Sequence, residues 1–293
     1  MRILFYKKTN LAKNPDIWAH YLSKYKKVET KVVNSLANHE FDFVHFNNTY
    51  EKFNDYLKKS LMHYHGHPEH ENKKGKLDSS YEGHIIINAA HIANGASKDY
   101  EPLRWIPIDL ESEFYDVQNP KDKIRICYTP SVITNSSNFP YHSKGFELTY
   151  PILQNLKNKF PNDVEINVLH GVQYEKCLQI KALSNIVIDE CVTGNYHMSG
   201  FEGLGMGKMV IGFFSEENKD LMLNTMCPNA DRIPYESVHI TKLENYLNDL
   251  VSNKKLDFVL KRGEENKEWM YKNWNLDDML EEMLKRYERI LSK

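Results

Sequence analysis

Three groups of residues have the types and spacing for chemistry. In His142-Ser143-Lys144-Gly145 a lysine stands directly before a glycine that would open a helix. The ammonium is a compact positive charge, and a helix N-terminus adds unpaired N–H groups and the positive end of the helix dipole. Together they suit a diphosphate and the negative charge that develops when a phosphate leaves. The stretch from Gly194 to Gly212 reads as a loop, a small-residue helix starting near Ser199, then a buried strand. Gly194, Ser199 and Gly200 would let the backbone approach a ligand closely, and Glu202, placed in the first turn, would accept hydrogen bonds from a pair of sugar hydroxyls.

The third group is His63-Tyr64-His65-Gly66-His67-Pro68. If a strand ran through it, the histidines would share a face, and His-x-His is a metal-ligand spacing on strands, with Glu69 as a further ligand. Gly66 and Pro68 end the strand instead, which scatters the rings. A ligand-contacting histidine on a loop is the favoured reading and no metal is expected.

The elements that must position these residues alternate between short β-branched or aromatic runs and longer amphipathic ones, the pattern of parallel βαβ units. Strands are expected at Arg2 to Tyr6, Thr30 to Val33, Asp42 to Phe46, Leu61 to Tyr64, His84 to Asn88 and Trp105 to Ile108. Helices are expected at Asn14 to Tyr25, with Asn14 and Pro15 as cap and first-turn residue, and at Tyr50 to Lys59. After the polar turn Asn119-Pro120-Lys121-Asp122-Lys123 the pattern restarts. Strands then fall at Ile124 to Tyr128, Val164 to Leu169, Asn185 to Asp189 and Met209 to Phe213, and helices at Gly145 to Phe160 and Tyr174 to Ala182. The tail Phe258 to Leu291 is strongly helical, with Asn275 or Asp277 as the cap of a second segment.

The expected fold is therefore α/β, with two Rossmann-like doubly wound domains at 1–120 and 121–270 facing a cleft. A C-terminal helix at 271–293 packs on its own domain or crosses back to the first. In open α/β sheets ligands sit outside the carboxyl ends of the strands, and Lys144, Gly171, Asp189 and Glu202 all fall at or just after such ends.

Composition removes several function classes. The 293 residues carry 38 basic and 40 acidic side chains, a net charge of -2, which argues against a broad nucleic-acid surface. The apolar stretch near Met1 is too short for a signal peptide, and no run is long enough to span a membrane. Cys127, Cys177, Cys191 and Cys227 lie far apart with no Cys-x-x-Cys pair, so a zinc knuckle or compact disulfide framework is not indicated and a reducing cytoplasm is the simplest compartment.

With these residues in hand, the sequence resembles the GT-B glycosyltransferases of the "group 1" (family 4-like) type, mostly retaining enzymes that use nucleotide sugars. Tyr128-Thr129-Pro130-Ser131 followed by His142-Ser143-Lys144-Gly145 looks like that family's "P-S … K-G" segment. Asn185 to Asp189 looks like its "A-D-I-x-I-D", Ser199 to Val210 like its "S-x-x-E-A-x-A-x-G-x-P-V", His63 to Gly66 like its "H-x-H-G", and Trp105 to Leu110 like its "P-N-x-I-D".

The resemblance implies that Lys144 and Gly145 contact the donor diphosphate, Glu202 the ribose, and His65 the transferred sugar. Backbone groups at Ser199, Gly200 and Phe201 would hold phosphates or sugar, and Gly171 and Val172 would lie near the base. It also implies a UDP- or GDP-linked sugar as co-substrate, a glycan or other hydroxyl acceptor, and no resident cofactor. The sequence departs from the family at Gly194, eight positions before Glu202, where a second glutamate is frequent, so the sugar-contacting carboxylate is missing or is supplied by Asp189 or Glu190. A non-catalytic nucleotide-sugar or glycan binder, a DNA-base glycosyltransferase and a nucleotide-sugar epimerase are the alternatives. Peripheral membrane contact and oligomeric state are left open.

Overall fold

The structure is a computed structural model, and it describes residues 1–8, 13–66, 79–88, 91, 96, 99–103, 108–133, 143–227 and 229–293. By its internal contacts the chain divides into two compact units, residues 1–107 with 275–293, and residues 108–274.

The first unit is built on a parallel sheet of β1 (Arg2–Lys7), β2 (Glu29–Val33), β3 (Phe43–Asn47), β4 (Ser60–Tyr64), β5 (His84–Asn88) and β6 (Glu101–Leu103), ordered β2-β1-β3-β4-β5-β6. Strands in the middle of a parallel sheet are covered on both faces and so read as continuous apolar runs. β3 is buried at every position, whereas edge strand β2 alternates with solvent. The chain order reverses between β1 and β3, which defines the switch point where an open sheet leaves a crevice.

Two expectations change in this unit. The Tyr50 to Lys59 segment is not a helix but an irregular stretch ending in one 3-10 turn, Tyr56–Lys59, entered through Asp55 in the left-handed region. Its aromatic spacing serves a ring cluster instead: Tyr50 stacks on Tyr56 at 5.7 Å and meets Tyr81 edge-on at 5.2 Å. Helix α1 (Asn14–Lys26) starts at Asn14 with left-handed Lys13 as its cap, so Asn14 is inside the helix and its side chain does not cap it; Pro15 does sit in the first turn. The sixth strand is Glu101–Leu103; of the expected Trp105 to Ile108, residues 105–107 lie outside the described residues, as do His67, Pro68, Glu69 and His142.

The second unit contains a sheet of β7 (Ile124–Tyr128), β8 (Val164–Val168), β9 (Ile186–Ile188), β10 (Met209–Gly212) and β11 (Glu236–Ser237), ordered β11-β10-β9-β7-β8 and again parallel, with the switch point between β7 and β9. Its helices are α2 (Phe146–Lys159), α3 (Tyr174–Ala182), α4 (Met198–Gly205), α5 (Glu216–Leu221), α6 (Ile240–Ser252) and α7 (Leu256–Asn273). α6 is a helix the sequence reading passes over, although Leu243, Leu247, Leu250 and Val251 recur at helical spacing and enter the core beside Ile126, Ile186 and Ile211. α7 runs past Gly263, whose missing Cβ allows it to approach the Gly207 carbonyl. No helix among the described residues is long and apolar enough to cross a membrane.

α7 stops at Trp274, and Asn275 restarts the chain as α8 (Leu276–Leu291) by accepting from the Asp277 and Asp278 amides at 3.0 and 3.2 Å. α8 belongs to the first unit. Met279, Leu280, Met283, Tyr287 and Ile290 are buried along one stripe, Tyr287 packs on Phe43 of β3, and Lys26 of α1 pairs with Asp277 and Glu281 at 2.6 Å. Because Leu280 is fully buried, Leu280→Ala should lower the stability of the first unit by about 2–5 kcal/mol, read as a shifted urea midpoint.

Candidate functional site

In the second unit the carboxyl ends of β7 and β9 carry a buried carboxylate that ties two helix starts together. Asp189 follows β9 directly and is completely buried. One of its oxygens faces the Lys144 ammonium at 3.3 Å, and the other accepts from the His197 amide at 2.9 Å and the Tyr235 hydroxyl at 3.2 Å. Burial works to raise its pKa, but Lys144, then His197 and the His197 amide, outweigh that and hold the carboxyl down at about 2. Lys144 lies just before α2, and His197 is the N-cap of α4, so one carboxylate fixes both helix N-termini.

The local backbone explains the Lys-Gly sequence. Lys144 and Gly145 both take left-handed φ, 51° and 68°, and a Cβ on Gly145 would strike the Val192 side chain. The Tyr128 hydroxyl donates to the Lys144 carbonyl at 2.9 Å and so fixes the bend from beneath. Ser199 in the first turn of α4 bonds the Thr129 hydroxyl at 2.7 Å, and His197 precedes a helix whose leading amides, Met198 and Ser199, point out of its N-terminus. Gly171, at φ 66° with nothing within 4 Å of an added Cβ, and half-exposed Val172 form the loop after β8, which His170 ties to the Pro130 carbonyl at 3.4 Å. Lys144, Gly145, Asp189, Ser199 and Gly200 are therefore brought together.

The glycines and acids of this segment act on the protein itself. A Cβ on Gly200 would fall on the Tyr235 hydroxyl, and one on Gly194 would lie 2.7 Å from the Ser215 nitrogen, so their smallness admits neighbouring protein. Phe201 is a core ring, 4.7 Å from Trp274. Glu202 stands just past the first turn rather than in it, because α4 begins at Met198, one residue earlier than expected, and has no acid in its first turn. It is buried, accepts from the Tyr174 hydroxyl at 2.8 Å, and pairs with Lys181 of α3. For Lys181 burial opposes the charge and Glu202 more than restores it, so its pKa is raised. Glu190 accepts from the Thr193 amide and hydroxyl at 2.6 and 2.8 Å and from the Asn195 amide at 3.2 Å, folding its own loop around its carboxylate. Tyr174, Lys181, His197 and Tyr235 carry no role in the sequence reading, since their importance follows only from contacts between elements.

The first unit gathers histidines at the ends of its central strands. His45 is in β3 and His63 in β4, both buried; His65 follows β4, and its ring lies 3.8 Å from that of His63. The Tyr287 hydroxyl bonds His45 Nδ1 at 2.8 Å. Asn47 and Asn48, also missed in the sequence, reach His65 through its ring Nε2 at 2.7 Å and its backbone amide at 2.9 Å. Burial drives the pKa of His45 and His63 well below normal, and burial with the His91 charge brings His65 to about 3, so all three are neutral near pH 7. Among the described residues, no group of three or more His, Cys, Asp or Glu side chains is placed to hold a metal ion.

The architecture matches known structures across the whole chain. It is similar to a glycosyltransferase from Rickettsia africae ESF-5, with 14% identity over 99% of this chain and 98% of that one and a TM-score of 0.57. It is similar to sucrose-phosphate synthase from Thermosynechococcus elongatus, at 11% identity over 99% of each chain and a TM-score of 0.57. It is also similar to WaaG, a glycosyltransferase involved in lipopolysaccharide biosynthesis, at 10% identity over 100% of each chain and a TM-score of 0.54. The fold is that of the GT-B glycosyltransferases, with Rossmann-like α/β units and parallel sheets. No family model matches the sequence, and no curated protein matches it.

The neutral histidines give the first unit a pH dependence of known sign. Their folded pKa values are depressed, so the unfolded chain binds more protons below its ordinary histidine pKa of about 6.5. Stability is complete above that value and is lost as pH falls toward the folded values. His45→Phe removes one such proton, and urea titrations between about pH 6 and pH 4 should show a stability slope smaller by up to about 1.4 kcal/mol per pH unit.

Proposed function

We propose that the chain is a glycosyltransferase that moves a hexose, with retention, from a UDP- or GDP-linked donor to the hydroxyl of a glycan or similar acceptor. The observation that carries this reading is the pairing of Lys144 with the N-cap of α4 through Asp189, at the switch point of a GT-B sheet. A diphosphate at that point meets an ammonium and the leading amides of α4, with the N-terminus of α2 beside them. These groups favour the charge that grows on the leaving phosphate as the sugar departs. The leaving phosphate itself takes the acceptor proton on the same sugar face, so the chemistry asks the protein chiefly for positioning and electrostatics.

Gly145, Ser199 and Gly200 hold the diphosphate in this reading, the Phe201 backbone extends that turn, and Gly171 with Val172 flanks the base. His65 is the contact to the transferred sugar in this reading. Glu202 reaches the ribose by exchanging the Tyr174 hydroxyl for a ribose hydroxyl. A non-catalytic nucleotide-sugar binder is the second reading, favoured by one feature: Glu190 is engaged by its own loop and Gly194 abuts Ser215, so this loop offers no second carboxylate to a sugar. Tight nucleotide binding in calorimetry with neither donor hydrolysis nor transfer over an acceptor panel would select it.

Lys144→Ala should weaken UDP or GDP binding by about 10- to 100-fold, the worth of a charge-assisted hydrogen bond, and reduce donor turnover at least as much. Because that variant strands the buried Asp189 charge, Lys144→Met with Asp189→Asn is the folded control and should show the same loss in a thermal-shift titration. Unchanged binding in both would refute the donor site. Tyr174→Phe, which frees one Glu202 oxygen, should raise the preference for UDP over its 2′-deoxy analogue by about fivefold in the same titration.

A further inference from the structure

We infer that Asn47 is a positioning residue that fixes the proton of His65 on Nε2, so that the ring presents the Nδ1 lone pair as its acceptor to a hydroxyl-bearing ligand. Asn47 is the last residue of β3, at the switch point of the first unit's sheet, and it is fully buried. Its amide nitrogen donates to the Tyr6 carbonyl at 3.1 Å and the His45 carbonyl at 3.0 Å. Both partners can only accept, so the orientation of the amide is determined by the backbone around it. Its oxygen must then be the atom 2.7 Å from His65 Nε2. An amide oxygen only accepts, which makes Nε2 the donor. A neutral imidazole has one N–H, and the partly buried ring is neutral near pH 7, so Nδ1 carries none.

The ring is also held in place. Asn48 accepts from the His65 amide at 2.9 Å, and its own amide donates to the His63 carbonyl at 3.0 Å, from a left-handed φ of 63°. His63 lies against the face of the His65 ring at a tilt of 33°. A lone pair fixed in this way selects ligands by chemical class. It accepts from a sugar or acceptor hydroxyl and gives nothing to a phosphate or carboxylate oxygen, which also only accepts. The role of the lone pair toward a ligand rests on the glycosyltransferase reading; the tautomer does not.

The test is a long-range proton–nitrogen correlation spectrum of the full chain labelled at histidine, with His65→Gln assigning the resonance. The expected result at neutral pH is a His65 ring protonated at Nε2 and bare at Nδ1, unchanged on acidification to about pH 5, well below the ordinary histidine value of about 6.5. Asn47→Ala, which removes the acceptor from Nε2, should give a mixed tautomer. A wild-type ring protonated at Nδ1, or the same pure tautomer in Asn47→Ala, overturns the inference. The wild-type spectrum decides the tautomer even if a variant does not fold. It needs no ligand, so failure of the glycosyltransferase reading is seen separately, as an absence of nucleotide binding.

Discussion

The second unit depends on one buried carboxylate. Leaving Asp189 unpaired in an interior that excludes water would cost several kcal/mol, so everything that reaches it is constrained by the need to satisfy it. The Lys144 ammonium, the His197 amide and the Tyr235 hydroxyl converge on its two oxygens. In doing so they bring the segment before α2 and the cap of α4 to the ends of β7 and β9. The left-handed Lys144-Gly145 bend and the bare α-carbon of Gly200 are consequences: the first lets the lysine turn inward, and the second leaves room for Tyr235.

The first unit meets the same topological problem with a neutral solution. Both sheets reverse order beside their third strand, and in both the residue at the end of that strand organises the crevice: Asn47 after β1 and β3, Asp189 after β7 and β9. The carboxylate recruits a cation and helix amides, which suits an anion. The amide, held by two carbonyls, recruits a neutral ring and sets its proton, which suits a hydroxyl. Equivalent positions in the two sheets thus carry polar groups of different chemistry, a carboxylate in one and an amide in the other.

Strand positions were legible because parallel strands covered on both faces leave unbroken apolar runs, as in Phe43 to Phe46 and Ile186 to Ile188. Periodicity misled at Tyr50, Phe53 and Tyr56, whose spacing matches a helix face but serves a ring cluster closed by Tyr81, a residue supplied from elsewhere in the chain. The same periodic signal was present and passed over in α6. Lys144 and Asp189 could be found because each sits at a strand-to-helix junction. Asn47 could not, since its meaning depends on a carbonyl 41 residues away, and neither could Lys181, a helix lysine that looks solvated until Glu202 is placed against it.

That pair bears on how an anion would be held. Glu202 is an acid inside α4, and an uncompensated negative charge there would oppose any anion at the helix N-terminus. Lys181, itself almost wholly buried, cancels it at contact distance, much as Lys144 and Asp189 cancel each other. With both pairs internally balanced, the region offers little net charge. In the proposed donor site, attraction for a diphosphate would come from the leading amides of α4 and from Lys144 exchanging one acceptor for another. When the ammonium turns away, Asp189 keeps the His197 amide and the Tyr235 hydroxyl on one oxygen, while the oxygen that faced Lys144 loses that partner. The two donors that stay on Asp189 lower the cost of such an exchange, and a ligand that takes the ammonium would have to supply the rest.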